Sequence, residues 1–146
     1  MNTNAFNIFY TDDDRDDIAF FRDAIREIKG DIELNTQYNG NDLIQMLENP
    51  PPYPSLLFLD WNMPGKDGEF ILKAIRSDDR TKDLPVVIFS TSNYSGHIEK
   101  ARSLGANLYA TKPNSFQALV KLIQKVVSID WKSFQPTREQ FVFSAT

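Results

Sequence analysis

Four groups of residues in this 146-residue chain could do chemistry together. Acids crowd at Asp12, Asp13 and Asp14, with Asp16 and Asp17 just beyond. A further acid, Asp60, follows the apolar run Leu56 to Leu59. The hydroxyls of Ser90, Thr91 and Ser92 follow the run Val86 to Phe89, and Lys112 precedes Pro113. Asp12, Asp13 and Asp60 are expected to lie close together. Like charges that close are costly unless a cation intervenes or a proton is retained. Oxygen ligands without histidine or cysteine favour a hard cation such as Mg²⁺, which takes a few carboxylates and keeps several waters. Such a cation, a carboxylate, a hydroxyl and a lysine form a phosphoryl-transfer set. Asp60 can be the in-line nucleophile that forms an aspartyl phosphate. The metal and Lys112 can neutralise equatorial oxygens, and Ser90 can hydrogen-bond a third.

Simpler readings cover part of this. Acids at a helix start complement its dipole, and that accounts for Asp16 and Asp17. It fails for Asp60, which follows four apolar residues. An EF-hand is excluded, since Asp17 stands where its glycine belongs and Asp23 where its glutamate belongs. No Walker P-loop or GxGxxG motif is present.

The elements that must hold these groups follow from periodicity. Short apolar runs predict strands over Ala5–Tyr10, Ile32–Tyr38, Leu56–Leu59, Pro85–Phe89 and Leu108–Ala110. Helical spacing predicts helices carrying Ile18 to Ile28, Leu43 to Leu47, Phe70 to Ile75, Ile98 to Leu104 and Ser115 to Asp130. Asn41 is expected to cap the second helix, and Pro50, Pro51, Pro52 and Pro54 to end it and keep it ended. Strands alternating with helices mean an α/β fold, a parallel sheet covered on both faces. Ligand groups in such sheets collect at the carboxyl ends of the strands, where all four groups fall.

Composition narrows the class. The chain is 41% hydrophobic and 25% charged, sufficient for one cored domain without staples. It has no cysteine and one histidine, His97, so thiol chemistry and multi-histidine metal sites are excluded. His97 is expected to be exposed on the fourth helix. A net charge of −4 argues against direct DNA binding through bulk charge. No apolar run approaches a membrane span, and no basic leader precedes the first strand, so the expected location is cytoplasmic. Residues 1–130 are expected to form the domain. Residues 131–146 read as a tail whose Trp131, Phe134, Phe141 and Phe143 either cover the last helix or contribute to a homodimer.

In combination these motifs resemble the response-regulator receiver domains of two-component signalling, over about residues 5–128. The resemblance rests on Tyr10-Thr11-Asp12-Asp13-Asp14, the run from Leu59 to Gly68, the hydroxyl after Phe89, and Thr111-Lys112-Pro113. It implies a flavodoxin-like, doubly wound fold with a five-stranded parallel sheet in the order 2-1-3-4-5. It also implies roles. Asp60 matches the phosphoacceptor, Asp13 the direct metal ligand and Asp12 the acid acting through a metal-bound water. Asn62 matches the residue whose backbone carbonyl binds the metal, and Lys112 the lysine that contacts the phosphoryl group. Ser90 matches the switch hydroxyl, with Thr91 the competing choice, and Tyr109 the aromatic that reports its movement. Thr11 departs from the family in replacing an apolar residue, and Asp14 in adding a third acid that could strengthen metal attraction. Trp61, beside Asp60, is expected to face solvent.

No output domain is expected to follow, and on that reading the chain resembles the single-domain receivers, including those paired with phytochrome-type kinases. The resemblance implies a stand-alone phosphoacceptor rather than an enzyme with an external substrate. It would be charged by a sensor histidine kinase or a histidine phosphotransfer protein and would bind a downstream protein. Two readings compete. An aspartyl-phosphate hydrolase would use the same chemistry but needs a cap and a second acid. A pure interaction module would not need the intact acid, hydroxyl and lysine set.

Overall fold

The computed structural model describes residues 6–51 and 55–143. Ala5, expected to open the first strand, and Pro52 and Pro54 of the expected helix break lie outside the described residues.

The elements run β1 (Phe6–Thr11), α1 (Arg15–Arg26), β2 (Ile32–Gln37), α2 (Gly40–Met46), β3 (Ser55–Leu59) and α3 (Gly68–Ser77). They continue with β4 (Val86–Ser90), α4 (Ser95–Ser103), β5 (Leu108–Thr111), α5 (Phe116–Ser128), α6 (Arg138–Phe141) and β6 (Val142–Phe143). The sheet order is β2-β1-β3-β4-β5-β6, and every pairing is parallel. The strand order 2-1-3-4-5 is as expected; the five-strand count is corrected to six.

Alternation along the strands divides the core in two. Ile8, Tyr10, Leu56, Phe58, Val87 and Phe89 face one side and meet Ile18, Phe21 and Ala24 of α1 and Leu119, Leu122, Ile123 and Val126 of α5. Phe9, Leu57, Leu59, Val86 and Ile88 face the other and meet Leu43 of α2, Ile71, Leu72 and Ile75 of α3 and Ala101 of α4. Strands covered on both faces need the continuous apolar runs seen in β3 and β4. Polar caps set the helix starts. Asp14 caps α1, Asp67 caps α3 and Ser115 caps α5. The cap of α2 is Asn39, not Asn41: its side chain accepts from the Asp42 N–H at 2.8 Å.

The sixth strand comes from the tail. The Trp131 indole donates to the Val126 carbonyl at 3.1 Å and packs edge-on against Phe134. Thr137 and Gln140 then form a reciprocal capping box that starts α6. Tyr109 pairs with Val142 and Ala110 with Phe143, so β6 covers the open edge of β5. Trp131 and Phe134 join the core on the α1 and α5 side, whereas Phe141 is buried on the opposite side. The T-x-x-Q signature of the cap is visible in the sequence, but a two-residue strand carries no periodicity to read. Among the described residues no helix is long and apolar enough to cross a membrane.

Candidate functional site

The acids meet because β1 and β3 are parallel neighbours. Thr11 pairs with Leu59, so Asp12 and Asp60 leave adjacent strands at one level. The Asp60 N–H donates to the Thr11 carbonyl at 3.0 Å. One carboxylate oxygen from each of Asp12, Asp13 and Asp60 lies within 4.8 Å of the other two. Asp12 and Asp60 are buried and Asp13 is exposed.

The three acids are held differently. Asp12 accepts three hydrogen bonds. Its Oδ2 accepts from the Tyr10 hydroxyl and the Lys112 ammonium, each at 2.6 Å, and its Oδ1 accepts from the Asp14 N–H at 2.9 Å. Asp60 is pushed up to about 7, chiefly by burial. Lys112 and the backbone N–H of Asn62 pull it down, while Asp12 and Asp13 push it up. A carboxyl that retains its proton near neutrality is the metal-free answer to the charge crowding. Asp14 caps α1, accepting from the N–H groups of Asp16 and Asp17 at 2.9 and 3.1 Å, and is not part of the three-acid cluster.

Lys112 reaches the site from the end of β5 with 11% of its side chain exposed. It bonds Asp12 Oδ2 and also Asp17 Oδ2, the latter at 2.7 Å, and stands 3.9 Å from Asp60 Oδ1. Burial alone would lower its affinity for a proton, but the hydrogen bonds to Asp12 and Asp17 outweigh that and raise it. The reading of Asp17 as only a helix-start acid missed this contact.

Ser90 is fully buried at the end of β4, whereas Thr91 is exposed. The Ser90 Oγ accepts from the Ser92 N–H at 3.2 Å. Tyr109 is buried beneath them, and its hydroxyl donates to the Ser92 carbonyl at 2.7 Å. Burial pushes the Tyr109 phenol up, and contacts with Ser90 and Ser92 partly offset it. Ser92 Oγ lies 2.9 Å from His97 Nδ1, so His97 is half-buried rather than exposed. Trp61 is also corrected: it is buried, 6% exposed, in the core on the α3 side. The loop that carries it packs tightly on Gly68, where a Cβ would come within 2.8 Å of the Trp61 Cα and 2.9 Å of the Asp60 carbonyl. Gly65, at φ 75°, makes the turn that brings this loop back.

The three-acid cluster offers hard oxygen donors from both buried and exposed sides, which fits a small divalent cation with open positions for water. With Lys112 beside it and a buried hydroxyl on the next strand, the arrangement can bind an oxyanion and neutralise it.

Residues 8–124 match the family model described as the response regulator receiver domain. The chain is 32% identical over 114 residues to chemotaxis protein CheY of Pseudomonas aeruginosa, covering 76% of this chain and 90% of that one. It is 28% identical over 126 residues to response regulator Rcp1 of Synechocystis, covering 83% and 86%. The Mn²⁺-bound structure of Rcp1 superposes with a TM-score of 0.74 at 26% identity, over 90% of this chain and 99% of that one. A phosphorylated cyanobacterial phytochrome response regulator, RcpA, gives a TM-score of 0.75 at 30% identity, over 89% and 96%.

Proposed function

The chain belongs to the response regulator receiver family, and we propose that Asp60 is the carboxylate on which it accepts a phosphoryl group. The observation that carries this is the buried Asp60 at the carboxyl end of β3, gathered with Asp12 and Asp13 and faced by Lys112. A lone buried acid would be a cost without a use. This one is bracketed by the groups a transferring phosphoryl needs.

In the proposed step a deprotonated Asp60 oxygen attacks the phosphorus of a phosphohistidine in line. The P–N bond breaks, and the departing imidazole nitrogen keeps the bonding pair and takes up a proton. Lys112 hydrogen-bonds one phosphoryl oxygen, and the Ser90 hydroxyl a second. Asp13 and Asp60 would hold Mg²⁺ directly, with the backbone carbonyl of Asn62, and Asp12 would act through its bound water. The cation would supply charge neutralisation at the phosphoryl oxygens. Asp12 has its Oδ2 held by Tyr10 and Lys112, while Oδ1 accepts only from the Asp14 N–H and can accept from such a water. The donor is a sensor histidine kinase or a histidine phosphotransfer protein, and the reading places the exchange in the cytoplasm.

Once Asp60 is phosphorylated, Ser90 turns toward the new oxygens and Tyr109, which is bonded to the Ser92 carbonyl, follows. That changes the surface of α4 and β5 offered to a downstream protein. The test is incubation with a small phosphodonor and Mg²⁺. Wild type gains an acid-stable, base-labile phosphate that Asp60→Asn lacks. Equal labelling of both proteins contradicts the assignment.

A further inference from the structure

Lys112 carries three N–H donors, and the structure accounts for two. One goes to Asp12 Oδ2 at 2.6 Å and one to Asp17 Oδ2 at 2.7 Å. Asp60 Oδ1, at 3.9 Å, is too far for a third hydrogen bond but within strong electrostatic reach. A phosphoryl oxygen on Asp60 would stand further out than Oδ1 and could occupy that gap.

Asp17 is built to hold its share. It is the third residue of α1, and its N–H is fixed by the Asp14 cap at 3.1 Å. The cleft beside the Asp17 and Lys112 pair, walled by Phe20, Phe89, Pro113 and Leu119, has a volume of only 20 Å³. That admits about one water. Without Asp17, the lysine would be left with Asp12 and Asp60 alone. It would then close on Asp60 and neutralise the oxygen that must attack.

We propose that Asp17 is a positioning residue for phosphoryl acceptance. It anchors Lys112 from the α1 side, keeps the ammonium off Asp60, and aims its remaining N–H at the incoming phosphoryl oxygen. The inference rests on the phosphoacceptor reading of Asp60 and adds an acid outside the set that reading uses.

The experiment measures beryllofluoride binding with Mg²⁺ by calorimetry, together with the rate of phosphorylation by a small phosphodonor. Asp17→Ala should weaken beryllofluoride binding and slow phosphorylation, each roughly tenfold, the scale of one charge-assisted hydrogen bond discounted for partial exposure. Asp17→Asn keeps an acceptor oxygen and should recover part of the loss. It also serves if Asp17→Ala folds poorly. The decisive comparison is with Lys112→Met. If Asp17 acts through the lysine, Asp17→Ala has little further effect in that background. Unchanged binding in both Asp17 variants, or the same loss with and without Lys112, overturns the proposal while leaving Asp60 as acceptor. Wild-type protein that binds no beryllofluoride contradicts the phosphoacceptor reading and, with it, the role of Asp17.

Discussion

The Tyr10 hydroxyl donates to Asp12 Oδ2 at 2.6 Å from inside the hydrophobic core. The two residues share a face because strand side chains repeat every second position. The Tyr10 ring packs 4.6 Å from Phe21 and edge-on against Phe89, so its place is fixed before Asp12 is considered. Burial, followed by the Asp12 carboxylate, pushes the phenol far above its ordinary range. It therefore stays a donor throughout the accessible pH range. The core thus reaches into the acidic site through one oxygen. Tyr10→Phe keeps the ring and removes that donor. A loss of about 1–3 kcal/mol is expected at pH 7, read as a lower midpoint in urea at unchanged slope. An unchanged midpoint would show that the bond contributes nothing net.

Asp60 yields a pH prediction. Its carboxyl is pushed up to about 7 from an ordinary value of 3.8, so between those limits the folded state binds the extra proton. The stability it contributes is fully present below the ordinary value and is lost as pH rises through about 7. Metal-free protein kept in chelator should therefore lose stability between pH 4 and pH 8 from this group, by at most about 4 kcal/mol. Asp60→Asn should flatten that decline in chemical denaturation measured across the range. An equally steep decline in the variant would place the titrating group elsewhere.

Phe141 joins the tail to the sheet. It is 1% exposed, in the same buried cluster as Tyr109, and the next residue pairs with Tyr109. Phe141→Ala should cost about 3–5 kcal/mol if the site does not collapse, and should expose the β5 edge. Faster hydrogen exchange at Tyr109 and Ala110 would report the loss of β6. Exchange unchanged in both residues would mean that the edge does not need the tail.

The sheet was legible because β3 and β4 carry the apolar runs Leu56–Leu59 and Val86–Phe89, and the site because its acids, hydroxyls and lysine each follow a strand. What escaped depended on distance in the chain. Asp17 and Lys112 are 95 residues apart, and nothing in the spacing of the first helix distinguishes an acid that serves the dipole from one that also meets a lysine. Trp61 escaped for a local reason. Its burial depends on Gly68 lacking a side chain, a relation that hydrophobicity alone does not encode. His97 escaped because its partner, Ser92, lies in a loop with no period.

The most direct measurement of the central assignment locates the phosphoryl group chemically. Borohydride reduces an aspartyl phosphate to homoserine, and peptide mass spectrometry then reads the position. After treatment with a phosphodonor and Mg²⁺, homoserine at position 60 alone is the expected result. Homoserine at Asp12 or Asp13, or none in protein shown to carry phosphate, would contradict it.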